Sequence, residues 1–152
     1  MNIDMETQEC IAHWITKVHL KLKNSMAQKV KEYNLTVEQR TILLLLFENE
    51  SMTQSQICKE TSSEASNITV TLKRMEQNDY IKKAKHPKDK RTTLIYPTKK
   101  ALDVEEELKQ IGIDSLNYLL GDIDEGEHEI ALKVLKEIYK KVLLEEVDPL
   151  LK

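Results

Sequence analysis

The stretch YIKKAKHPKDKRTTLIYPT, residues 80–98, decides how this chain folds. Its two ends are rich in β-branched, aromatic and alternating residues, so we predict strands over residues 80–85 and 92–96. The polar segment between them then forms the tip of a β-hairpin. Six of the residues 82–91 are basic and only Asp89 is acidic. Taken alone, such a tip is explained equally well by a solvated turn or by a surface that contacts an anion.

Two short helices are predicted directly before the hairpin. Residues 53–56, TQSQ, have the form of a capping box, in which the Thr hydroxyl and the Gln amide satisfy free backbone N–H groups at a helix start. This helix ends in a polar turn at residues 60–63, and a second helix is predicted over about residues 64–77. One face of the second helix is apolar, with Ala65, Ile68, Leu72 and Met75. The opposite face is mostly polar or basic, with Ser63, Ser66, Asn67, Val70 and Arg74.

Longer helices are predicted on both sides of this region. Apolar residues recur at spacings of three and four in residues 5–33, residues 36–39 (TVEQ) form another capping box, and Thr98 is a helix cap. These helices are predicted over residues 5–33, 36–47, 98–120 and, after a break at 121–124, up to about residue 147. The predicted fold class is therefore mainly α-helical with one small β-hairpin.

Composition excludes several classes of protein. The 152 residues are 40% hydrophobic, which is enough for one compact domain or two small modules packed together. The longest apolar run, residues 42–47, is far too short to span a membrane, and the N-terminus lacks the pattern of a signal peptide. Only Cys10 and Cys58 are present, which suits a reducing compartment. We therefore expect a cytoplasmic protein without a membrane partner.

The net charge of −3 conceals an uneven distribution along the chain. Residues 1–58 have a balance of −1 (six basic, seven acidic), residues 59–100 of +6 (eleven and five) and residues 101–152 of −8 (six and fourteen). A basic middle segment indicates one surface that binds a polyanion. No Gly-rich phosphate loop, nucleophile elbow or metalloprotease motif is present, so we expect neither an enzyme nor a cofactor.

Two short helices, a tight turn and a hairpin make up a winged helix-turn-helix pattern. The second helix of such a unit fits the major groove of DNA, and a basic hairpin beside it reaches the adjacent minor groove, whose negative potential attracts arginine. Beside this pattern, the charged hairpin is better explained as a DNA-binding wing than as a solvated turn. The predicted DNA-binding residues are Ser63, Ser66, Asn67, Val70, Lys73, Arg74, Lys88, Asp89, Lys90 and Arg91.

The chain resembles the MarR family of transcriptional regulators between about residues 35 and 101. Four segments carry this resemblance, in the family's order and spacing. LTVEQ at 35–39 is similar to the family's L-T-x-x-Q, and MTQSQIC at 52–58 is similar to its L-T-Q-x-x-L-A. ASNIT at 65–69, together with KRME at 73–76, resembles the family's recognition helix. DKR at 89–91, followed by Thr98, resembles its D-x-R wing signature with a later L-T. Asp79 departs from the pattern, because the family often has glycine there, so we expect a strained or different turn.

The resemblance implies roles for individual residues and for the assembly. Arg91 would enter the minor groove, Asp89 would hold either Arg91 or the hairpin by a charge-assisted hydrogen bond, and Arg74 would contact a base or the DNA backbone. The protein would be a homodimeric repressor, released from a pseudo-palindromic double-stranded DNA operator by a small phenolic or lipophilic effector. The predicted organisation is an N-terminal dimerisation helix (1–34), a DNA-binding region (35–99) and C-terminal dimerisation helices (100–152).

Two alternative functions remain open at this point. Cys10 lies in the region where peroxide-sensing relatives place a reactive cysteine, so a thiol-based redox regulator is the first alternative. The second is a winged-helix adaptor that binds protein instead of DNA. It would need apolar residues on the outward helix face, where only Val70 qualifies. A metal site at Cys10, His13 and His19 is disfavoured, because only Cys10 and His13 share a helix face and the spacing does not form a closed site.

Overall fold

The structure is a computed structural model that describes residues 10–147. They group into two compact units, one up to Ile113 and one from Asp114 onward. The elements in chain order are α1 (Ile11–Val30), a 3₁₀ turn (Lys31–Tyr33), α2 (Val37–Asn49), α3 (Gln54–Thr61), α4 (Ala65–Gln77), β1 (Ile81–Lys85), β2 (Thr93–Pro97), α5 (Lys99–Asp103), α6 (Glu105–Leu120) and α7 (Glu125–Val147). The predicted fold class, mainly α-helical with one hairpin, is confirmed.

The hydrophobic core of the first unit lies between α2, α3, α4 and the hairpin. The apolar run of α2 is buried on several sides and places Ile42, Leu43 and Leu46 in this core. From α3 and α4 it receives Ile57, Ile68, Leu72 and Met75. Each fully buried aliphatic side chain contributes about 1.5–3 kcal/mol relative to an exposed one. This burial stabilises α3, which at 8 residues is too short to be stable as an isolated helix.

Both predicted capping boxes are present. The Thr36 hydroxyl accepts the backbone N–H of Gln39 at 3.2 Å, and the Gln39 side chain accepts the Thr36 N–H at 2.9 Å. Thr53 and Gln56 repeat this exchange at 3.2 Å and 2.8 Å. Reciprocal bonds of this kind satisfy two otherwise unpaired N–H groups and fix the starts of α2 and α3.

The two strands form an antiparallel hairpin that a third segment joins. β1 and β2 each begin one residue later than predicted, with Lys83 paired opposite Ile95. Met52, just before α3, adds an isolated bridge to the other side of Ile95, with N–H to carbonyl distances of 3.1 Å and 2.8 Å. The base of the hairpin is thereby anchored to the helix-turn-helix.

The first predicted helix is shorter than expected. Residues 5–9 lie outside the described part of the chain, and the α-helix ends at Val30, with residues 31–33 in the tighter 3₁₀ form. Asn34 then adopts a left-handed conformation with φ of 55°, which asparagine tolerates better than most residues. The chain can therefore turn sharply into α2.

Two further predicted boundaries were wrong. The segment 98–120 is not one helix, because Val104 (φ −115°, ψ 12°) separates α5 from α6. Three glutamates follow at once in the first turn of α6, where negative charge is favourable and starts a new helix. The predicted polar turn at 60–63 is also shorter, since α3 continues to Thr61 and ends at Ser62 in a left-handed conformation.

Asp79 forms the tight turn between α4 and β1. Its φ of 59° lies in the left-handed region that favours glycine, so the expected strained turn is present. The Thr98 hydroxyl donates to the Asp79 carbonyl at 2.6 Å and also accepts the Ala101 N–H at 3.3 Å. One side chain therefore caps α5, as predicted, and also holds the strained turn in place.

The described helices leave much apolar surface uncovered. In the second unit, Ile130, Val134 and Val142 lie at intervals of four and eight residues along α7, and Ile130 is 66% exposed. In the first unit, α1 leaves Trp14 and Val18 half exposed. Such stripes require a covering partner, because long amphipathic helices owe most of their stability to packing. Within residues 10–147, no helix is both long and apolar enough to cross a membrane.

Candidate nucleic-acid interface

α4 presents two chemically different faces, and the inner one fixes how the outer one is displayed. Ile68, Leu72 and Met75 are buried as predicted, whereas Ala65, in the first helical turn, is exposed. The outward residues Ser66, Asn67, Val70, Lys73 and Arg74 are all exposed. None of these five side chains has a hydrogen-bond or ion-pair partner within residues 10–147. This outer face therefore offers donors, acceptors and one apolar contact to an external partner.

Ser63 differs from the other residues predicted on this face. It is half buried, and its hydroxyl donates to the Thr61 carbonyl at 3.2 Å. Its backbone N–H donates to the Cys58 carbonyl at 3.1 Å. Ser63 thus contributes to the turn between α3 and α4, and its hydroxyl is less available to an external partner than that of Ser66.

Gln54 links the outer surfaces of α3 and α4, a contact that sequence reasoning missed. Its side-chain amide donates to the Thr69 hydroxyl at 2.7 Å and to the Ala65 carbonyl at 3.3 Å. Thr69 in turn donates to the Ala65 carbonyl at 2.7 Å. A glutamine directly after the capping threonine was the available signal, but its partner lies 15 residues away.

Asp89 organises the tip of the hairpin. One carboxylate oxygen accepts the backbone N–H of Arg91 at 3.0 Å, and the other accepts the Thr92 hydroxyl at 2.9 Å. These bonds, the first the larger in effect, hold the pKa of the Asp89 carboxyl below its usual value. Within the described residues, no salt bridge joins Asp89 to the Arg91 guanidinium. Two roles were predicted for Asp89, holding the Arg91 side chain or holding the hairpin. The observed contacts correspond to holding the hairpin.

His86 completes the tip from the other side. Its Nδ1 accepts the backbone N–H groups of Lys88 at 3.1 Å and Asp89 at 3.2 Å. The backbone N–H of His86 donates to the Thr92 carbonyl at 2.9 Å. The tip is therefore an ordered turn with a network of local hydrogen bonds.

Two lysines of β1 have side-chain partners among the described residues, whereas the three cations at the tip of the hairpin do not. Lys83 pairs with Glu76 of α4 at 3.1 Å, and Lys85 donates to the Thr93 hydroxyl at 3.1 Å. Lys88, Lys90 and Arg91 are exposed and have no side-chain partner within residues 10–147. These three cations and the outward residues of α4 (Ser66, Asn67, Val70, Lys73 and Arg74) are together called the basic surface below.

The two cysteines are not part of the basic surface. Cys10 is 5% exposed and sits immediately before α1, and Cys58 is half buried against the core. His13 packs edge-on against Trp14, with ring centroids 6.2 Å apart. Across residues 10–147, no three His, Cys, Asp or Glu side chains cluster as a metal site would require.

Comparison with known proteins finds similar chains among transcriptional regulators. The profile of the family described as transcriptional regulator SarA/Rot matches residues 24–108. The HTH-type transcriptional regulator MgrA of Staphylococcus aureus is 29% identical over 106 residues, covering 61% of this chain and 72% of MgrA. A MarR protein structure from Peptoclostridium difficile has a TM-score of 0.84 at 20% identity, covering 95% of each chain. S. aureus MepR, solved as a complex with DNA, has a TM-score of 0.81 at 20% identity, covering 86% of this chain and 97% of MepR.

Proposed function

This chain belongs to the SarA/Rot family of MarR-type winged-helix transcriptional regulators, and we propose that it represses transcription as a homodimer on a pseudo-palindromic operator. The observation that carries the proposal is the basic surface. An exposed hydrogen-bonding face of α4 stands beside a hairpin whose tip is braced, and the tip cations Lys88, Lys90 and Arg91 have no side-chain partner within residues 10–147. An ordinary solvated turn would not need this bracing.

In this proposal α4 enters the major groove and the hairpin follows the DNA backbone into the adjacent minor groove. Asn67 has the amide needed for a bidentate contact with adenine, and Val70, 51% exposed, can contact a thymine methyl. Arg74 and Lys73 are placed for phosphates or base edges. Arg91 follows the braced tip, so its backbone is held by Asp89 while its guanidinium reaches outward.

The adaptor alternative is disfavoured by the same surface. A protein-docking helix face is expected to present several apolar anchors, and on α4 Val70 is the outward apolar side chain that is large and exposed. The redox alternative rests on Cys10, which is buried. A sensing thiol needs access to its oxidant, so this burial favours regulation by ligand over oxidation.

We infer that release from DNA depends on a small apolar or phenolic effector. An open groove of about 310 Å³ lies between α1 and α2 and is lined in part by His19, Leu22 and Met26. The charged groups in its lining are partnered, since Lys23 pairs with Glu38 at 2.7 Å and Arg40 donates to the Leu108 carbonyl, so the groove suits a small, largely apolar or aromatic molecule. Titration with hydroxybenzoic acids, followed by thermal stability and operator release, tests this inference.

The protein is expected to be a dimer at micromolar concentration. The exposed apolar residues of α1 and α7 need a partner surface, and a two-fold dimer supplies the same surface twice. Sedimentation velocity of the full chain measures the mass directly. Leu144, 60% exposed on α7, offers a test residue, since Leu144→Glu should shift the equilibrium toward monomer. Val70→Glu also replaces an exposed apolar side chain by glutamate, but on α4, so it is the matched control and should stay dimeric. A compact, folded wild-type monomer would contradict the proposed assembly.

Asp89→Ala is expected to weaken operator binding about two- to tenfold, although it removes a negative charge near a polyanion. The reason is that both carboxylate oxygens hold the turn that displays Arg91. Asp89→Asn is the matched control, because it removes the same charge but keeps an acceptor oxygen. We expect it to bind at least as tightly as the wild type. Tighter binding by Asp89→Ala would show that the wing acts only as diffuse charge.

The experiment that tests the function as a whole is genomic footprinting in the native cell. Selection of bound duplexes from random DNA by the purified protein complements it. We expect enriched sequences with two inverted half-sites about one helical turn apart. Deletion of the gene that encodes this protein should raise expression of the genes next to the bound sites. Recovery of no preferred sequence at low salt would overturn the proposed function.

A further inference from the structure

Arg40 is a buried cation in the apolar helix α2. Its side chain is 8% exposed, and burial lowers the pKa of its guanidinium. Its Nε and Nη2 both donate to the backbone carbonyl of Leu108 in α6, at 2.8 Å and 2.7 Å. Within residues 10–147, no carboxylate forms an ion pair with it. A buried guanidinium held mainly by one carbonyl is a costly arrangement that requires a specific reason.

Gly112 lies one turn after Leu108 in the same helix. A Cβ atom added at Gly112 would stand 2.5 Å from Arg40 Nη2, so that the guanidinium would have to shift. Glycine inside a helix is destabilising relative to alanine. The missing side chain lets the guanidinium lie against the backbone of α6. The glycine inside α6 therefore leaves the space that the buried Arg40 guanidinium occupies.

We propose that Arg40, the Leu108 carbonyl and Gly112 form a joint that fixes α6 on the DNA-binding region and so sets which half-site spacing the dimer accepts. This inference rests on the proposed function. α6 leads from the DNA-binding region into the second unit, whose apolar helix surface is proposed to dimerise. Arg40 is a positioning residue, since it acts on operator spacing through α6 and not by touching DNA.

The physical basis is directionality. Apolar contacts between two helices allow small sliding and rotation at little cost, because burial depends on area and not on angle. Two N–H donors converging on one carbonyl fix both distance and orientation. Leu108 itself is fully buried, so its carbonyl is held in place by the core beneath it. A rotation of α6 would break both bonds at once and leave the guanidinium unpaired.

A double-mutant cycle tests the joint in the full chain. Gly112→Ala alone should lower the melting temperature by about 3 °C or more, because its methyl group displaces the guanidinium. In the Arg40→Met background the same change should leave the melting temperature unchanged or raise it, because methionine is flexible and alanine favours the helix. The reversal of sign is expected only if the two positions share the space. Equal shifts in both backgrounds would overturn the joint.

The positioning role is tested by comparing affinities for different DNA duplexes, because a change in protein stability alone would not alter the preference among them. Wild-type protein is compared with Arg40→Met on the duplex recovered by selection, on the same duplex with one base pair inserted between half-sites, and on a single half-site. The wild type should lose about tenfold or more on the lengthened duplex. Arg40→Met should lose less than about threefold there and bind the single half-site within about twofold of the wild type.

The outcomes separate the two proposals. A wild type that prefers none of the duplexes over random DNA overturns the proposed function, whatever the melting data show. If the wild type and Arg40→Met both discriminate equally well between the selected and the lengthened duplex, the joint alone is overturned. Arg40→Lys provides the second variant should methionine prevent folding. It keeps the charge but cannot donate twice to one carbonyl in a planar arrangement, and should show the same loss of spacing discrimination.

Discussion

Raising the salt concentration from about 50 mM to 200 mM is expected to weaken operator binding about 10³- to 10⁵-fold. Each phosphate contact by Lys or Arg releases a condensed counterion, so the slope of log K against log[salt] is about −0.9 per contact. The basic surface of one protomer includes the five cations Lys73, Arg74, Lys88, Lys90 and Arg91. Two protomers with about three to five phosphate contacts each give the stated range.

The assignment of these contacts can be checked residue by residue. Lys90→Ala should make the slope shallower by about 1.8, because the proposed dimer loses the contact twice. Lys140 is the matched control, since it lies on α7 and pairs with Glu137 at 2.9 Å. Lys140→Ala should leave the slope unchanged. Fluorescence anisotropy with labelled operator over a series of salt concentrations gives both slopes. An affinity that stays flat across this range would contradict a phosphate-binding surface.

Arg91→Ala is expected to weaken operator binding about 5- to 150-fold per half-site, and more than Lys88→Ala does. Both changes remove one positive charge, so the long-range attraction falls equally. They differ in the side chain, because both backbone N–H groups are held, that of Arg91 by the Asp89 carboxylate and that of Lys88 by His86 Nδ1. Arginine presents a planar guanidinium that suits the narrow minor groove. Lys88 has a flexible stem and should mainly contact the ion atmosphere of the DNA.

Affinity of the two variants at one salt concentration decides this prediction, with folding checked by circular dichroism. Arg91→Lys separates charge from shape, because lysine keeps the charge but loses the planar guanidinium suited to a narrow groove. We expect Arg91→Lys to recover only part of the loss. Equal effects of Arg91→Ala and Lys88→Ala would show that the wing acts as an unoriented charge patch.

The sequence by itself determined the local features of this protein, because each depends on groups a few residues apart. The capping boxes at Thr36 and Thr53 close over three residues. The apolar face of α4 follows from helical periodicity. The bracing of the wing tip also spans only two or three residues, from Asp89 to Arg91 and Thr92. Local geometry is short-ranged, so these elements could be predicted without knowing the rest of the fold.

The part of the candidate site that was predicted also depends on local geometry. Exposure of Ser66, Asn67 and Arg74 follows from the helical face that must be buried on the other side. The position of Ser63 was less well predicted, because the extent of α3 decides whether its hydroxyl turns back to Thr61. The boundary depended on Ser62 accepting a left-handed conformation, which residue type alone does not indicate.

Only the tertiary structure decided which distant residues meet. Gln54 finds Thr69, Met52 pairs with Ile95, and the Tyr80 hydroxyl donates to the Tyr33 carbonyl at 2.5 Å across 47 positions. Arg40 and Leu108 are 68 positions apart, and neither a buried arginine nor an interior glycine indicates its partner in the sequence. Such pairs depend on how the helices stack around one shared core. That stacking is set by the shape and packing of many side chains together, so no local pattern contains it.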